Sequence, residues 1–438
     1  MSLFQWAAVL TTFAMSALDG FDVLAVTLVA PSLLHQWHVN PAALGLVFSV
    51  GLVGMAFGSF IVAPLGDVAG RRTLARIALA VMTVGMFLSA RANGIAVLAL
   101  YRLITGVGIG AVVAIINPLA AEYANIRRRE LAIGLMAVGF PLGGVLGGLS
   151  AAYLLTHGGW RAVFVVGGVF GLVLVAASMV LLPEPIAFLV ERRGPKALAH
   201  VNRFLRRCGH PSVQSLPPRA EVKAAIRPFE IFHASQLRAT VHLSAILFLF
   251  VITVYFFLSW IPLMVAAAGF TPSVAARVAV MANLSGVVGG SLIGWAAGHV
   301  PLKPLSFTAV LGLGLGAILF GYSGGHLLAL TLTAALAGFF AHSGMVSMHS
   351  LIARTFPSHM RASGAGFALG VGRVGSALAP ALAGYLFNTG MSRGQVSVVM
   401  GGSAVLSALL MLSFHVHGRA LVANPSTSED LGAVAPAV

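Results

Sequence analysis

Charge is what this sequence has least of. Asp, Glu, Lys and Arg make up only 8% of its 438 residues, against roughly 25% in an ordinary soluble domain. A chain so poor in charge cannot cover a water-facing surface, so its solvent must be lipid. Acidic residues are the scarcer kind, eleven against 26 Lys and Arg. Cysteine is nearly missing. Cys208 stands alone, which excludes a disulfide framework and any zinc site built on thiolates. The N-terminus lacks a basic region followed by a small-residue cleavage site, so its first apolar segment is expected to be retained as a helix.

Apolar residues are abundant instead, at 58%. They come in runs of about 20, each long enough to cross a bilayer. Twelve spans are predicted, at 4–33, 42–65, 73–90, 95–122, 131–155, 161–182, 239–267, 274–299, 303–322, 326–352, 361–387 and 395–416. The fold class is therefore an all-α integral membrane protein. A polar, partly helical linker at 183–238, with Glu191-Arg192-Arg193, Arg206-Arg207 and Pro217-Pro218, divides it into six-helix bundles at 1–182 and 239–416. The tail at 417–438 is rich in Ser, Ala and Pro, and disorder is expected there.

The formal net charge of +15 would suggest nucleic acid in a soluble protein, but its distribution argues otherwise. Arg91, Arg161, Arg277 and Arg393 fall on one side of the predicted spans, and Arg102 and Arg373 fall inside them. The other 20 of the 26 basic residues share the opposite side. That asymmetry makes the basic side cytoplasmic, with both termini there. The expected location is an inner, cytoplasmic membrane, and the expected partner is the bilayer and not a nucleic acid.

The halves echo each other. Gly139-Phe140-Pro141-Leu142-Gly143 in the fifth span matches Gly366-Phe367-Ala368-Leu369-Gly370 in the eleventh. Glycines four apart, such as Gly54 and Gly58, Gly106 and Gly110, or Gly143 and Gly147, suit close helix crossings. Gly106-Val107-Gly108-Ile109-Gly110 follows no strand, so it is not a nucleotide fingerprint.

Two acidic residues, Asp19 and Asp22, fall deep in a span. A charge at mid-bilayer costs at least ~2.5 kcal/mol, so it needs a partner or a task. Asp19 lies roughly 22 Å along the first helix, near the centre of the hydrocarbon, and Asp22 follows at i+3 on the same side. Two such neighbours favour sharing one proton, which suits proton coupling; the alternative is a pair that only balances an arginine. Glu122, near the end of span four, is the third candidate for proton coupling. Arg102 and Arg373, one per half, offer planar forks that match a substrate carboxylate. The alternative is that they pair with Asp19, Asp22 or Glu122.

Gly66-Asp67-Val68-Ala69-Gly70-Arg71-Arg72 forms a short basic loop between spans two and three. It is a candidate gate, against simple charge anchoring. Its counterpart Gly294-Trp295-Ala296-Ala297-Gly298-His299 has no Asp. His342 and His349 in span ten, Tyr255 and Trp260 in span seven, and the polar Asn117 in span four complete the candidate substrate-binding set. The histidines serve equally as cavity-lining residues, and the aromatics as interfacial anchors. No metal and no cofactor are expected.

Several stretches together resemble one family. The Gly66–Arg72 loop resembles the signature loop of the major facilitator superfamily. Asp19-Gly20-Phe21-Asp22 with Ala30-Pro31-Ser32-Leu33 resembles the first helix of its aromatic acid:proton symporters. Arg102 to Ala111 with Glu122-Tyr123, Gly159-Trp160-Arg161, Pro183-Glu184, Ser259-Trp260-Ile261-Pro262, Gly269-Phe270 and Met360-Arg361-Ala362 to Arg373 continue the likeness. Val68 replaces a basic residue common in the family, and the acidic loop between spans eight and nine is missing.

The resemblance implies the major facilitator fold and a secondary transporter, not an enzyme. The cargo would be a small organic, aromatic carboxylate, imported with protons by alternating access through a monomer. Asp19 and Asp22 would be the proton-linked pair, and Arg102, Glu122, Arg361 and Arg373 would be required. Arg361 joins the candidate gate. Proton-antiport efflux of drugs or metabolites is the alternative.

Overall fold

Twelve helices long and apolar enough to cross a membrane are present among the described residues of the computed structural model, which are 1–192, 197–216, 234–356 and 361–414. They are Leu3–Trp37 (α1), Pro41–Val62 (α2), Arg71–Ala90 (α3), Ile95–Tyr123 (α4), Leu131–His157 (α5) and Gly159–Leu181 (α6) in one half. The other half holds Leu237–Ala266 (α7), Pro272–Ala296 (α8), Leu302–Tyr322 (α9), Leu327–Ile352 (α10), Ser363–Asn388 (α11) and Arg393–Ser413 (α12). The predicted spans agree within a few residues. The second ends sooner, because a separate short helix, Leu65–Ala69, carries the Gly66 loop.

Lipid offers no hydrogen bonds, so each span satisfies its own backbone. Apolar contact with lipid also gives no drive for helices to associate, so close backbone approach takes over. The α1–α5 crossing shows the result. A side chain at Gly20 would collide with the Phe140 backbone, and one at Gly143 with the Ala17 backbone. Gly106 and Gly110 make the corresponding close passage of α4 against α2.

Between the halves, α1 packs on α7, α2 on α11 and α5 on α8. The seam is tight at the end away from the Gly66 loop. There the Ala381 amide donates to Ser49 Oγ at 3.0 Å. The stretch between the halves contains two described helices, Ile186–Arg192 and Ala197–Arg207. Residues 217–233 of the predicted linker and the predicted disordered tail, 417–438, lie outside the described residues.

Candidate functional site

α1 begins at a capping box, in which Ser2 and Gln5 exchange hydrogen bonds. Its middle is enclosed by the bundle, leaving Asp19 4% and Asp22 0% exposed. These two carboxylates, one turn apart, have different partners. Arg102 of α4 reaches Asp22 with a two-pronged fork, Nη1 to Oδ1 and Nη2 to Oδ2, both at 2.8 Å. Nη2 also donates to the Asp22 carbonyl at 3.3 Å. Arg102 is itself only 3% exposed. The pair is thus taken out of water with good geometry, the condition under which a buried ion pair is tolerated. One donor is left over, because Arg102 Nε is buried and has no acceptor among the described residues.

Asp19 has no such clasp. Its Oδ1 is buried with no hydrogen-bond partner among the described residues. The charge of Arg373, on α11 of the other half, acts on it through space. No hydrogen bond or ion pair joins the two. Arg373 is half-buried.

Arg102 also lines a cleft between the halves, with Thr27, Phe48, Tyr255 and Ser259 among its neighbours. The space measures ≈ 30 Å³, room for about one water and not for an organic acid. Its lining is apolar apart from a few placed polar groups, as small-molecule sites generally are. An aromatic stack closes it toward the end away from the Gly66 loop. Phe48 of α2 meets Trp260 of α7 edge-on, with centroids 5.8 Å apart. Trp260 meets Phe387 of α11 at 4.8 Å. Beyond this plug lies a vestibule of ≈ 880 Å³, lined by Trp260, Phe270, Phe387, His35, Ser392 and Arg393 among others. Trp260 is 0% exposed, and its indole N–H has no acceptor among the described residues.

The opposite, basic end is stitched by charges. Gly70 turns the chain at φ 98°, and a side chain there would strike the Glu184 carboxylate. That position therefore favours glycine twice over. Glu184 accepts a hydrogen bond from the Arg72 amide. Burial pushes the Glu184 carboxyl above the ordinary range, outweighing the opposite pull of Arg72 and Arg76. Arg76 donates to the carbonyls of Ser178, Met179 and Leu182, at the end of α6. The Tyr123 hydroxyl donates to the Pro183 carbonyl at 2.7 Å. Arg71 forms an ion pair with Glu122. The side chains of Asp67 and Arg361 lie outside the described residues.

The sequence candidates thus divide by depth. Arg102 and Tyr255 line the central cleft, Asp22 is tied to it through Arg102, and Asp19 sits one turn away on α1, in the field of Arg373 from the other half. Glu122 does not join them: it is 20 positions beyond Arg102 on one helix, about 30 Å away, and pairs with the Gly66 loop. Trp260 belongs to the plug. The other three candidates do not line the cleft. His342 is half-buried, with Nδ1 3.2 Å from the Gly338 carbonyl of its own helix. His349 is exposed, and its Nδ1 lies 2.7 Å from the Met345 carbonyl. Asn117 is exposed as well.

Thr27, Ser259, Phe48 and Phe387 were not among the sequence candidates. Each has a residue type that is ordinary inside a membrane helix, so no local signal marks it. Among the described residues no group of three or more His, Cys, Asp or Glu is placed to hold a metal ion.

Residues 9–325 match the sequence model of the Major Facilitator Superfamily. The gallate transporter of Pseudomonas putida is 29% identical over 434 residues, covering 98% of this chain and 95% of that protein. The 4-hydroxybenzoate transporter of Pseudomonas putida is 31% identical over 425 residues, covering 93% of this chain and 92% of that protein. Among solved structures, the inward open xylose transporter from E. coli superposes with a TM-score of 0.70 at 18% identity, over 94% of this chain and 96% of that chain.

Proposed function

Because this chain belongs to the major facilitator superfamily and, within it, to the aromatic acid transporters, we propose that it imports a small aromatic carboxylate together with protons. It is a membrane transporter and not an enzyme. The observation that carries the proposal is the unequal pair on α1, with Asp22 clasped by Arg102 and Asp19 unclasped yet within the field of Arg373. A carboxylate in that position is free to take and release a proton without dismantling an ion pair. Because Asp19 and Arg373 lie in different halves, any change in their interaction bears on how the halves sit together.

In this reading the basic loops favour a cytoplasmic Gly66 end in an inner membrane, with both termini on that side. The vestibule then faces outward. Units at 1–182 and 239–416, joined by the linker, rock as alternating bodies around the cleft in a monomer. Outside, Asp19 is protonated and the cargo carboxylate enters. Its oxygens find Arg373 and the unused Nε donor of Arg102, while Tyr255 and Phe48 border its ring. Rocking opens the basic end, Asp19 gives its proton to the cytoplasm, and Arg373 turns from the cargo to Asp19. The Arg71–Glu122 pair and the Gly70–Glu184 contact belong to the structure that opens and closes that end. Energetics favour the coupling: one anion moved inward against ~100 mV costs ~2.3 kcal/mol, and one accompanying proton cancels that charge.

The test is uptake of 4-hydroxybenzoate into proteoliposomes with an imposed pH gradient, acidic outside. The gradient should drive accumulation, and collapsing it should stop accumulation. Uptake indifferent to the gradient would overturn the coupling. Uptake of sugars or cations in place of acids would overturn the cargo.

A further inference from the structure

The vestibule has a charge pattern of its own. No Asp or Glu occurs anywhere in the segments that form this end of the molecule, at 33–41, 90–95, 155–161, 266–273, 322–328 and 388–394. Four arginines lie at this end: Arg91, Arg161, Arg277 and Arg393. Arg161 lies over the Trp160 ring, 4.3 Å from its centroid, and donates to the Ala92 carbonyl, so it is occupied in fastening the surface. Arg393 is the arginine that lines the vestibule. Its Nη1 donates to the Met264 carbonyl at 3.2 Å. That uses one of the five guanidinium N–H donors.

The rest of the wall suits an aromatic anion. Phe387 and Phe270 supply ring surface, with Trp260 buried behind them, and His35 and Ser392 supply polar atoms. The volume of ≈ 880 Å³ lies within the range of small-molecule sites, about 300–1,000 Å³. It exceeds that of the cleft below the plug, which measures ≈ 30 Å³. Trp260 forms both the floor of the vestibule and the plug, and its buried indole N–H has no acceptor among the described residues. A buried donor without an acceptor is a standing cost. A carboxylate oxygen arriving as the plug loosens would supply one.

We propose that the vestibule is a second, outer binding site for an aromatic carboxylate, with Arg393 holding the carboxylate and Phe387 and Phe270 holding the ring above the Trp260 floor. This inference rests on the reading that the cargo is an aromatic acid. The site concentrates the anion at the mouth, because an end with arginines and no carboxylates attracts negative charge over a distance and focuses it into a concave wall. It also puts the arriving ring against Trp260, the residue that must move before the cleft is reached. Arg393 is a capture residue here, distinct from Arg102 and Arg373 of the central site.

The experiment measures initial uptake of 4-hydroxybenzoate over a range of concentrations, in proteoliposomes at low and high ionic strength. Two variants of the full chain are used. Arg393→Gln removes the capturing charge. Ser392→Asp leaves Arg393 in place and keeps the N-cap of α12, where the Ser392 hydroxyl accepts from the Gln395 amide, since Asp caps as well as Ser does, but it adds a negative charge to the vestibule wall. Both variants should raise the half-saturating concentration about ten-fold at low ionic strength, leave the maximal rate near that of the wild type, and lose most of the difference in high salt. Arg393→Lys should restore most of the capture. Wild-type uptake with unchanged half-saturation in both Arg393→Gln and Ser392→Asp would overturn the inference alone. No uptake of any aromatic acid by the wild type would overturn the cargo reading and the inference with it.

Discussion

Arg102 holds both carboxylate oxygens of Asp22 at 2.8 Å, with the two side chains almost wholly out of water. A pair in that position is worth little compared with an apolar replacement, but it is costly to break from one side, about 3–5 kcal/mol, because the remaining charge is stranded. Arg102→Gln should therefore destabilise the protein more than the double variant Arg102→Gln with Asp22→Asn. Thermal unfolding of the purified proteins checks this. Additive losses in the double variant would show that the two side chains do not act as a unit.

The aromatic plug leads to a different expectation. Trp260 fills the space between Phe48 and Phe387, and Ser259 beside it lines the cleft. With Cys208 replaced by Ser, a Ser259→Cys thiol should react slowly with a membrane-impermeant reagent added from the vestibule side. Trp260→Ala should raise that rate several-fold. An equal rate would mean that the plug is not the barrier.

Glu184 sets a pH dependence. Burial raises its folded-state pKa above the ordinary glutamate value of 4.5, against the pull of Arg72 and Arg76. A carboxyl with a raised folded pKa binds more protons folded than unfolded, so stability falls as pH climbs from the unfolded value through the raised one. The wild type should gain stability relative to Glu184→Gln as the pH drops from about 7 to about 5. Melting curves of the two proteins at several pH values test the sign, and a relative loss on acidification would contradict it.

Periodic and compositional signals in the sequence were enough for the fold. Apolar runs bounded by short polar turns define twelve helices within a few residues, because a span's length is set by the bilayer and not by its neighbours. The intramembrane charges were legible for the same reason: Asp19, Asp22, Arg102 and Arg373 are conspicuous against lipid. Their pairing was not. Asp19 and Asp22 look alike at i and i+3, yet Arg102 comes from a residue 80 positions away and takes Asp22. The repeated Gly139–Gly143 and Gly366–Gly370 stretches show a similar limit. Gly143 makes a close crossing with α1, whereas a side chain at Gly366 would meet nothing among the described residues, and α11 approaches α7 through Gly372 and Gly375 instead. Phe48 and Phe387 stood out least, being apolar residues in apolar helices that only the tertiary packing brings onto Trp260.

The most direct measurement of the central claim is made on Asp19→Asn. Its side chain has the same size, and it leaves the Asp22–Arg102 pair untouched. The variant should still exchange labelled for unlabelled 4-hydroxybenzoate across the membrane, since binding and rocking remain. It should no longer accumulate 4-hydroxybenzoate in response to an acidic exterior. Gradient-driven accumulation by Asp19→Asn at the wild-type level would contradict the account.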